Sequence, residues 1–159
     1  MKRSRKSYER PFKPWNKERI LQDRETMKEF GLKKKEEIWK TEMIVRKFRR
    51  MARDLEARKD KEKEKVLVKK IINFGLLNEG AVLDDVLGLT LKDFLDRRLE
   101  TVVFKKGLAN SPKQSRQFIT HGHVLITGKR ITYPRYLVSK NEENEIIVKI
   151  VPKKSKVSK

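Results

Sequence analysis

Ser111-Pro112-Lys113-Gln114-Ser115-Arg116-Gln117-Phe118-Ile119-Thr120-His121-Gly122-His123-Val124-Leu125-Ile126-Thr127-Gly128-Lys129-Arg130 changes its periodicity once, and that change decides the fold. Ser111 followed three residues later by Gln114 has the form of a capping box, and Pro112 stands at the first helical position, where a missing N–H costs nothing. The stretch therefore predicts a short helix over 112–120, closed by Gly122 at its C′ position. Beyond Gly122 the pattern becomes β. Val124–Thr127 and Arg130–Tyr133 predict two short strands around Gly128-Lys129. Thr127 is β-branched and resists a positive φ, so a type II′ turn with Gly128 first is preferred, which places Lys129 at the hairpin tip and Arg130 beside it. Tyr136–Ser139 and Ile146–Val151, separated by the acidic turn Asn141–Glu145, are expected to complete a small sheet.

Upstream of this stretch the chain reads as helical. Thr90 with Asp93 is an N-cap signal with an acidic first turn, opening a helix at Leu91 that carries Phe94, Leu95, Leu99, Val102 and Val103, with room for a bend before it stops at Gly107. Residues 76–90 are a leucine-rich connector. The segment from Glu36 to Arg58 has helical period, with Ile38, Ile44, Val45, Phe48, Met51, Ala52 and Leu55 on one face. Residues 59–65 read as a solvated continuation of it, and the helix through Val66–Asn73 ends at Gly75. Asn16 caps a helix through Phe30, with Gly31 at C′. Residues 1–17 form a basic arm. Pro11 and Pro14 favour extended backbone there, and Tyr8, Phe12 and Trp15 suggest docking on a partner. The fold class is α+β: a helical N-terminal region with a basic extended arm over 1–93, a helix-turn-helix plus small antiparallel sheet over 94–152, and a basic tail over 153–159.

Charge narrows the function. The 159 residues hold 42 Lys and Arg against 22 Asp and Glu, a formal net charge of +20 with a pI near 10.2. Residues 101–140 contain 8 basic side chains and no carboxylate. Nothing within that segment neutralises its cations, so a focused positive potential is expected. Nucleic acids and acidic membrane surfaces are the obvious polyanions. No apolar run approaches the roughly 18 residues of a membrane span, and no secretory leader is expected. Cysteine is absent, which excludes disulfides, thiolate zinc and thiol catalysis.

The candidate contacts follow from residue type. Arg46, Arg49, Arg50 and Arg53 share one helical stripe, with Trp39 among them. The planar guanidinium bonds phosphate bidentately, so phosphate contact is expected of this stripe. Arg97, Arg98, Lys105 and Lys106 lead into the acid-free segment. Lys113, Arg116 and Gln117 lie on the short helix, His121 at its end, and Lys129 and Arg130 on the hairpin. Arg116 in particular is expected to stand exposed. The N–H groups opened by Ser111 favour a phosphate. His121 and His123 share a strand face, but no third ligand completes a metal shell. Ser111 has no base partner, so no catalytic residue is assigned. No G-x-G-x-x-G, G-x-x-x-x-G-K-[ST] or H-E-x-x-H occurs. Lys106-Gly107-Leu108-Ala109 lacks the stacking aromatics of a sheet-face RNA reader, and no G-x-x-G loop is present. Of the aromatics in the acid-free segment, only Tyr133 and Tyr136 are read as free to stack.

The blocks Arg97-Arg98-Leu99-Glu100-Thr101, Gly107-Leu108-Ala109, Ser111 through Ile119 and Gly122 through Arg130 resemble the S-four RNA-binding domain. Tyr8 through Pro14, Trp15-Asn16-Lys17-Glu18-Arg19-Ile20, Gly31-Leu32-Lys33, Ile38-Trp39 and Arg46-Lys47-Phe48-Arg49-Arg50 are similar to the archaeal and eukaryotic form of the ribosomal S-four family. Two positions depart from the usual pattern: Ser115 stands for a common Ala, and Thr127 for the Asn of the hairpin. The resemblance implies a cytoplasmic constituent of the small ribosomal subunit. Such a protein binds ribosomal RNA directly, nucleates assembly of the subunit body, and lies near the messenger entry channel beside protein S-five. It implies no cofactor, metal, membrane or small-molecule substrate and no enzymatic activity. An RNA-modifying enzyme lacks a domain of catalytic size here. An accessory or architectural nucleic-acid binder outside the ribosome remains the alternative.

Overall fold

The computed structural model describes residues 8–149, so the expected basic tail over 153–159 and the end of the strand drawn to Val151 lie outside the described residues. Helix α1 (Lys17–Glu29) starts where Asn16 accepts a bond from the Glu18 N–H at 3.1 Å, and ends with Gly31 at φ 65°. Helix α2 (Lys35–Arg58) buries Ile38, Thr41, Val45, Phe48 and Ala52, the residues that recur every three to four positions. Ile44, assigned to this apolar face, is 38% exposed, because it sits at the edge of the stripe facing a groove. Residues 59–65 do not continue α2. Lys59 adopts φ 56°, and α3 (Lys61–Asn73) starts anew, turning back so that Leu67 and Ile71 cover the apolar side of α2. The connector is not structureless either. It contains α4 (Leu83–Gly88), and its Leu83, Val86 and Leu89 join Phe48, Ile71 and Phe94 in one core, with Phe48 and Phe94 stacked at 5.6 Å.

The helix expected from Leu91 to Gly107 is two. In α5 (Leu91–Asp96), Thr90 and Asp93 bond each other's backbone N–H, as the capping box requires. The chain then extends at Arg98 (φ −71°, ψ 143°) before α6 (Leu99–Lys105). That elbow frees main-chain groups, which are paired by the returning chain: Leu99 N–H donates to Tyr136 O at 2.8 Å and Val138 N–H to Arg97 O at 3.0 Å. Tyr136–Ser139 is therefore held by the elbow through a single bridge, Arg98 to Leu137, and is not a strand of the sheet. Helix α7 (Pro112–Thr120) is capped by Ser111, whose Oγ accepts from Gln114 N–H at 3.2 Å. The reciprocal bond is shifted by one residue: Gln114 Oε1 accepts from Asn110 N–H at 2.8 Å.

The sheet has order β2-β1-β3, with β1 (Val124–Ile126) central and antiparallel to β2 (Lys129–Arg130) and β3 (Ile146–Val148). Ile126 pairs with Lys129, so the loop is Thr127-Gly128, with φ 51° and 75°. Two successive positive φ values make a type I′ turn, not the II′ turn expected from the reluctance of Thr127. Lys129 is thus the first residue of β2 and not the tip. The acidic segment before β3 is a helical turn, α8 (Lys140–Glu143), capped by Ser139. Since a β-branched residue is costly in the left-handed region and Asn is tolerated, Thr127→Asn is expected to stabilise the fold by about 1 kcal/mol. Urea unfolding checks this, and a loss of stability would show that the Thr127 side chain makes a contact worth more than its strain.

Candidate nucleic-acid interface

Side chains from three separated stretches of sequence meet in an ion cluster that links α2 to the start of α6 and to α7. Glu37 is held in the fork of Arg116, at 2.7 Å to Oε1 and 3.2 Å to Oε2, and takes a third bond from Arg98 at 2.6 Å. Glu100 lies 3.4 Å from Arg116 and 3.8 Å from Arg98, and its Oε1 has no partner among the described residues. Behind them, Ser115 is fully buried and donates to Glu100 O at 2.6 Å. Ser115, in place of Ala, thus ties α7 to α6. Gly31 belongs to the same junction, because a Cβ there would stand 2.7 Å from that of Pro112.

The two carboxylates respond oppositely to this setting. Burial raises both. For Glu37 the hydrogen bonds from Arg116 and Arg98 outweigh it and hold the carboxyl at about 2. For Glu100 burial prevails over the two more distant guanidiniums, Glu37 adds repulsion, and the carboxyl is pushed up to about 7. Stability contributed by Glu37 is present above its ordinary value of 4.5 and is lost as pH falls through 2. That from protonated Glu100 is present below 4.5 and is lost as pH rises through 7. Glu100→Gln, which keeps the shape without the titration, should therefore gain on the native protein by up to ~3 kcal/mol between these pH values. Urea unfolding of both proteins across that window tests this, and parallel curves would contradict it.

This cluster corrects part of the expected interface. Arg98 is 3% exposed and Arg116 is forked onto Glu37, so neither stands free for phosphate. Arg97 bonds Glu143 at 2.7 Å and Val138 O at 3.2 Å, and its side chain is mostly buried. Lys105 pairs with Asp96 at 2.9 Å, and Lys106 donates to the main-chain oxygen of Glu143, although both remain exposed. Arg49 donates to Leu89 O at 2.5 Å and is half-buried, so it leaves the α2 stripe. Trp39 packs against the cluster of Phe30, Leu32, Ile38 and Leu95. Tyr136 donates its hydroxyl to Glu142 at 2.7 Å, which leaves Tyr133, 73% exposed, as the free tyrosine of the segment.

Two cationic surfaces remain. On α7, Lys113, Gln117 and Thr120 are exposed at the spacing of one helix face, which continues into exposed His121. The hairpin lies against the end of α7. Arg130 donates to His121 O at 2.8 Å and its guanidinium occupies the space a Cβ on Gly122 would fill; Lys129 is exposed beside it. The second surface is a groove of about 710 Å³ along α2, with Met43 and Ile44 among its lining and Lys40, Arg46, Lys47, Arg50, Arg53 and Arg135 around it. Within the groove, Arg46 lies 3.5 Å from both Glu9 and Glu42 and Arg50 lies 3.9 Å from Asp54, while Arg53 has no ion pair among the described residues. Lys47 and Arg135 were not singled out from the sequence. Arg135 carried the one available signal, its place in the acid-free segment, but no periodicity assigned it to α2. No group of His, Asp or Glu suited to a metal occurs among the described residues.

Residues 97–144, the span of the α5–α6 elbow, α7 and the hairpin, match the S4 domain family. Over 149 residues the chain is 50% identical to small ribosomal subunit protein uS4 of Saccharolobus solfataricus, covering 91% of this chain and 82% of that protein. The chain belongs to the uS4 family. Its relatives include uS4 of Nanoarchaeum equitans, 47% identical over 92% of this chain and 84% of that protein, and uS4 of Ignicoccus hospitalis, 45% identical over 91% and 89%. Membership of the uS4 family fits the two cationic surfaces and the absence, among the described residues, of a helix long and apolar enough to cross a membrane.

Proposed function

We propose that this chain is a structural component of the small ribosomal subunit that binds ribosomal RNA directly, in the cytoplasm, and performs no catalytic step. The observation that carries the reading is the pair of exposed cationic surfaces, one on α7 and the hairpin and one along α2, borne by elements that the Glu37 fork clamps together. Cations fixed at separate places suit phosphate backbones converging on a folded RNA, whose deep major groove side chains do not read. The reading divides the chain into a helical region over 1–93, an RNA-binding module over 94–152 and a basic tail. In it Arg46, Arg50, Arg53, Lys113, Gln117, His121, Lys129 and Arg130 face RNA, Lys105 and Lys106 add charge at the edge, and Arg49, Arg97, Arg98 and Arg116 hold the elements that present them. It also places the protein near the messenger entry channel beside protein S-five. A competition filter-binding assay tests it: folded small-subunit ribosomal RNA should displace the labelled complex at lower mass than single-stranded RNA or duplex DNA. Equal displacement by all three would favour a general architectural binder instead.

A further inference from the structure

The turn between the arm and α1 exposes two large aromatic rings, Phe12 at 98% and Trp15 at 90%. Both ends of this turn are fastened. On one side Tyr8 lies 5.8 Å from Trp39, with Lys40 over its ring at 5.4 Å, and Glu9 lies 3.5 Å from Arg46. On the other, Asn16 is fixed as the cap of α1. Pro11 and Pro14 restrict the backbone between the anchors, so holding a ligand there costs little further conformational entropy. Arg10, Lys13 and Lys17 are exposed around the rings. Glu9, on the wall of the α2 groove, is only three residues from Phe12, a reach of roughly 10 Å at most.

We infer that Phe12 and Trp15 form a stacking platform for unpaired nucleobases of the RNA whose phosphates lie along the α2 groove. Aromatic rings interleaved with cations are the chemistry that captures unstacked bases, the rings taking π-faces and the cations the adjoining phosphates. A protein pocket would also accept the rings, but three cations in eight residues favour a polyanion. The inference rests on the reading of the chain as a ribosomal RNA binder, and the test separates the two.

Purified small-subunit ribosomal RNA is titrated into the Trp39→Phe protein, in which Trp15 is the remaining tryptophan. Binding should quench its fluorescence. Phe12→Ala and Trp15→Ala should each weaken affinity about tenfold or more, Trp15→Phe should retain most of it, and all three should leave the salt slope unchanged, since no phosphate contact is removed. If Trp39→Phe fails to fold, the difference in quenching between the native protein and Trp15→Phe gives the same readout. RNA binding without quenching and without loss of affinity in the alanine variants overturns the platform while leaving the RNA-binding reading intact. So does normal binding to naked RNA by alanine variants that fail to enter assembled subunits, which would mark a protein pocket as the occupant. No binding by the native protein overturns both.

Discussion

Arg98→Ala is expected to destabilise the protein by about 3–5 kcal/mol, the usual result of removing one partner from a buried ion cluster. Arg98 is 3% exposed and faces Glu37 at 2.6 Å and Glu100 at 3.8 Å. Without it two buried carboxylates share Arg116 alone, and the repulsion that already raises Glu100 is less compensated. A domain of this size is stable by about 5–15 kcal/mol in total, so such a loss would leave the variant near unfolding at elevated temperature. Arg116→Ala should act in the same direction but less strongly, because its side chain is 22% exposed and water compensates part of the loss. That reverses the simplest reading of the sequence, in which Arg116 could be removed without harm to the fold. Because Arg98, Arg116, Glu37 and Glu100 act as one unit, the effects of pairs should fall well short of additive. Urea unfolding of the single and double variants measures this. A change below ~0.5 kcal/mol for Arg98→Ala would mean that the cluster contributes specificity at most, not stability.

Affinity for ribosomal RNA should fall by about 10³–10⁴ between 50 and 200 mM salt. Exposed Lys47, Arg50, Arg53, Lys113, Lys129, Arg130 and Arg135 supply the effect, each neutralised phosphate adding roughly 0.7–0.9 to the logarithmic slope. Replacing Lys113, Lys129 and Arg130 together by Gln should lower the slope by about 2–3 and the melting temperature only slightly, since none of them is in an ion pair among the described residues and the one hydrogen bond lost is that of exposed Arg130 to His121 O. Arg98→Met, by contrast, should leave the slope of whatever protein remains folded. Filter binding at several salt concentrations distinguishes the two. A flat slope for the native protein would remove electrostatics from the account, and an unchanged slope for the triple variant would move the interface off α7 and the hairpin.

The hairpin and the interface show where reading the sequence falls short. The position of the hairpin was legible because alternation around Gly128 is a local signal, yet its turn type was not. The preference of one residue, Thr127, is outvoted by the β1–β2 register, in which buried Ile126 pairs with Lys129 and leaves a two-residue loop. The break after Arg58 is not legible in the sequence, and the bend expected between Leu91 and Gly107 has no legible position, because the flanks have helical composition and no Pro or Gly marks either place. Each bend is fixed by what it packs against: Leu67 and Ile71 on α2 in one case, the returning main chain of Tyr136 and Val138 in the other.

What the sequence alone determined is everything written in local chemistry. The caps at Asn16, Thr90 and Ser111, the glycine stops, the core face of α2, the α+β class and the excess of positive charge all depend on neighbours a few residues apart, and family resemblance follows from the order of such blocks. Which arginines are free was decided only by tertiary structure. Forty residues without a carboxylate look unneutralised along the chain, but Arg116 finds Glu37 across 79 positions and Arg98 finds it across 61. Electrostatic pairing depends on distance in space, and a buried guanidinium takes a carboxylate wherever the fold delivers one. At the surface the pairing is looser: Arg46, Arg50 and Lys105 keep a carboxylate nearby yet face water, while Arg53, Lys113 and Lys129 have none among the described residues.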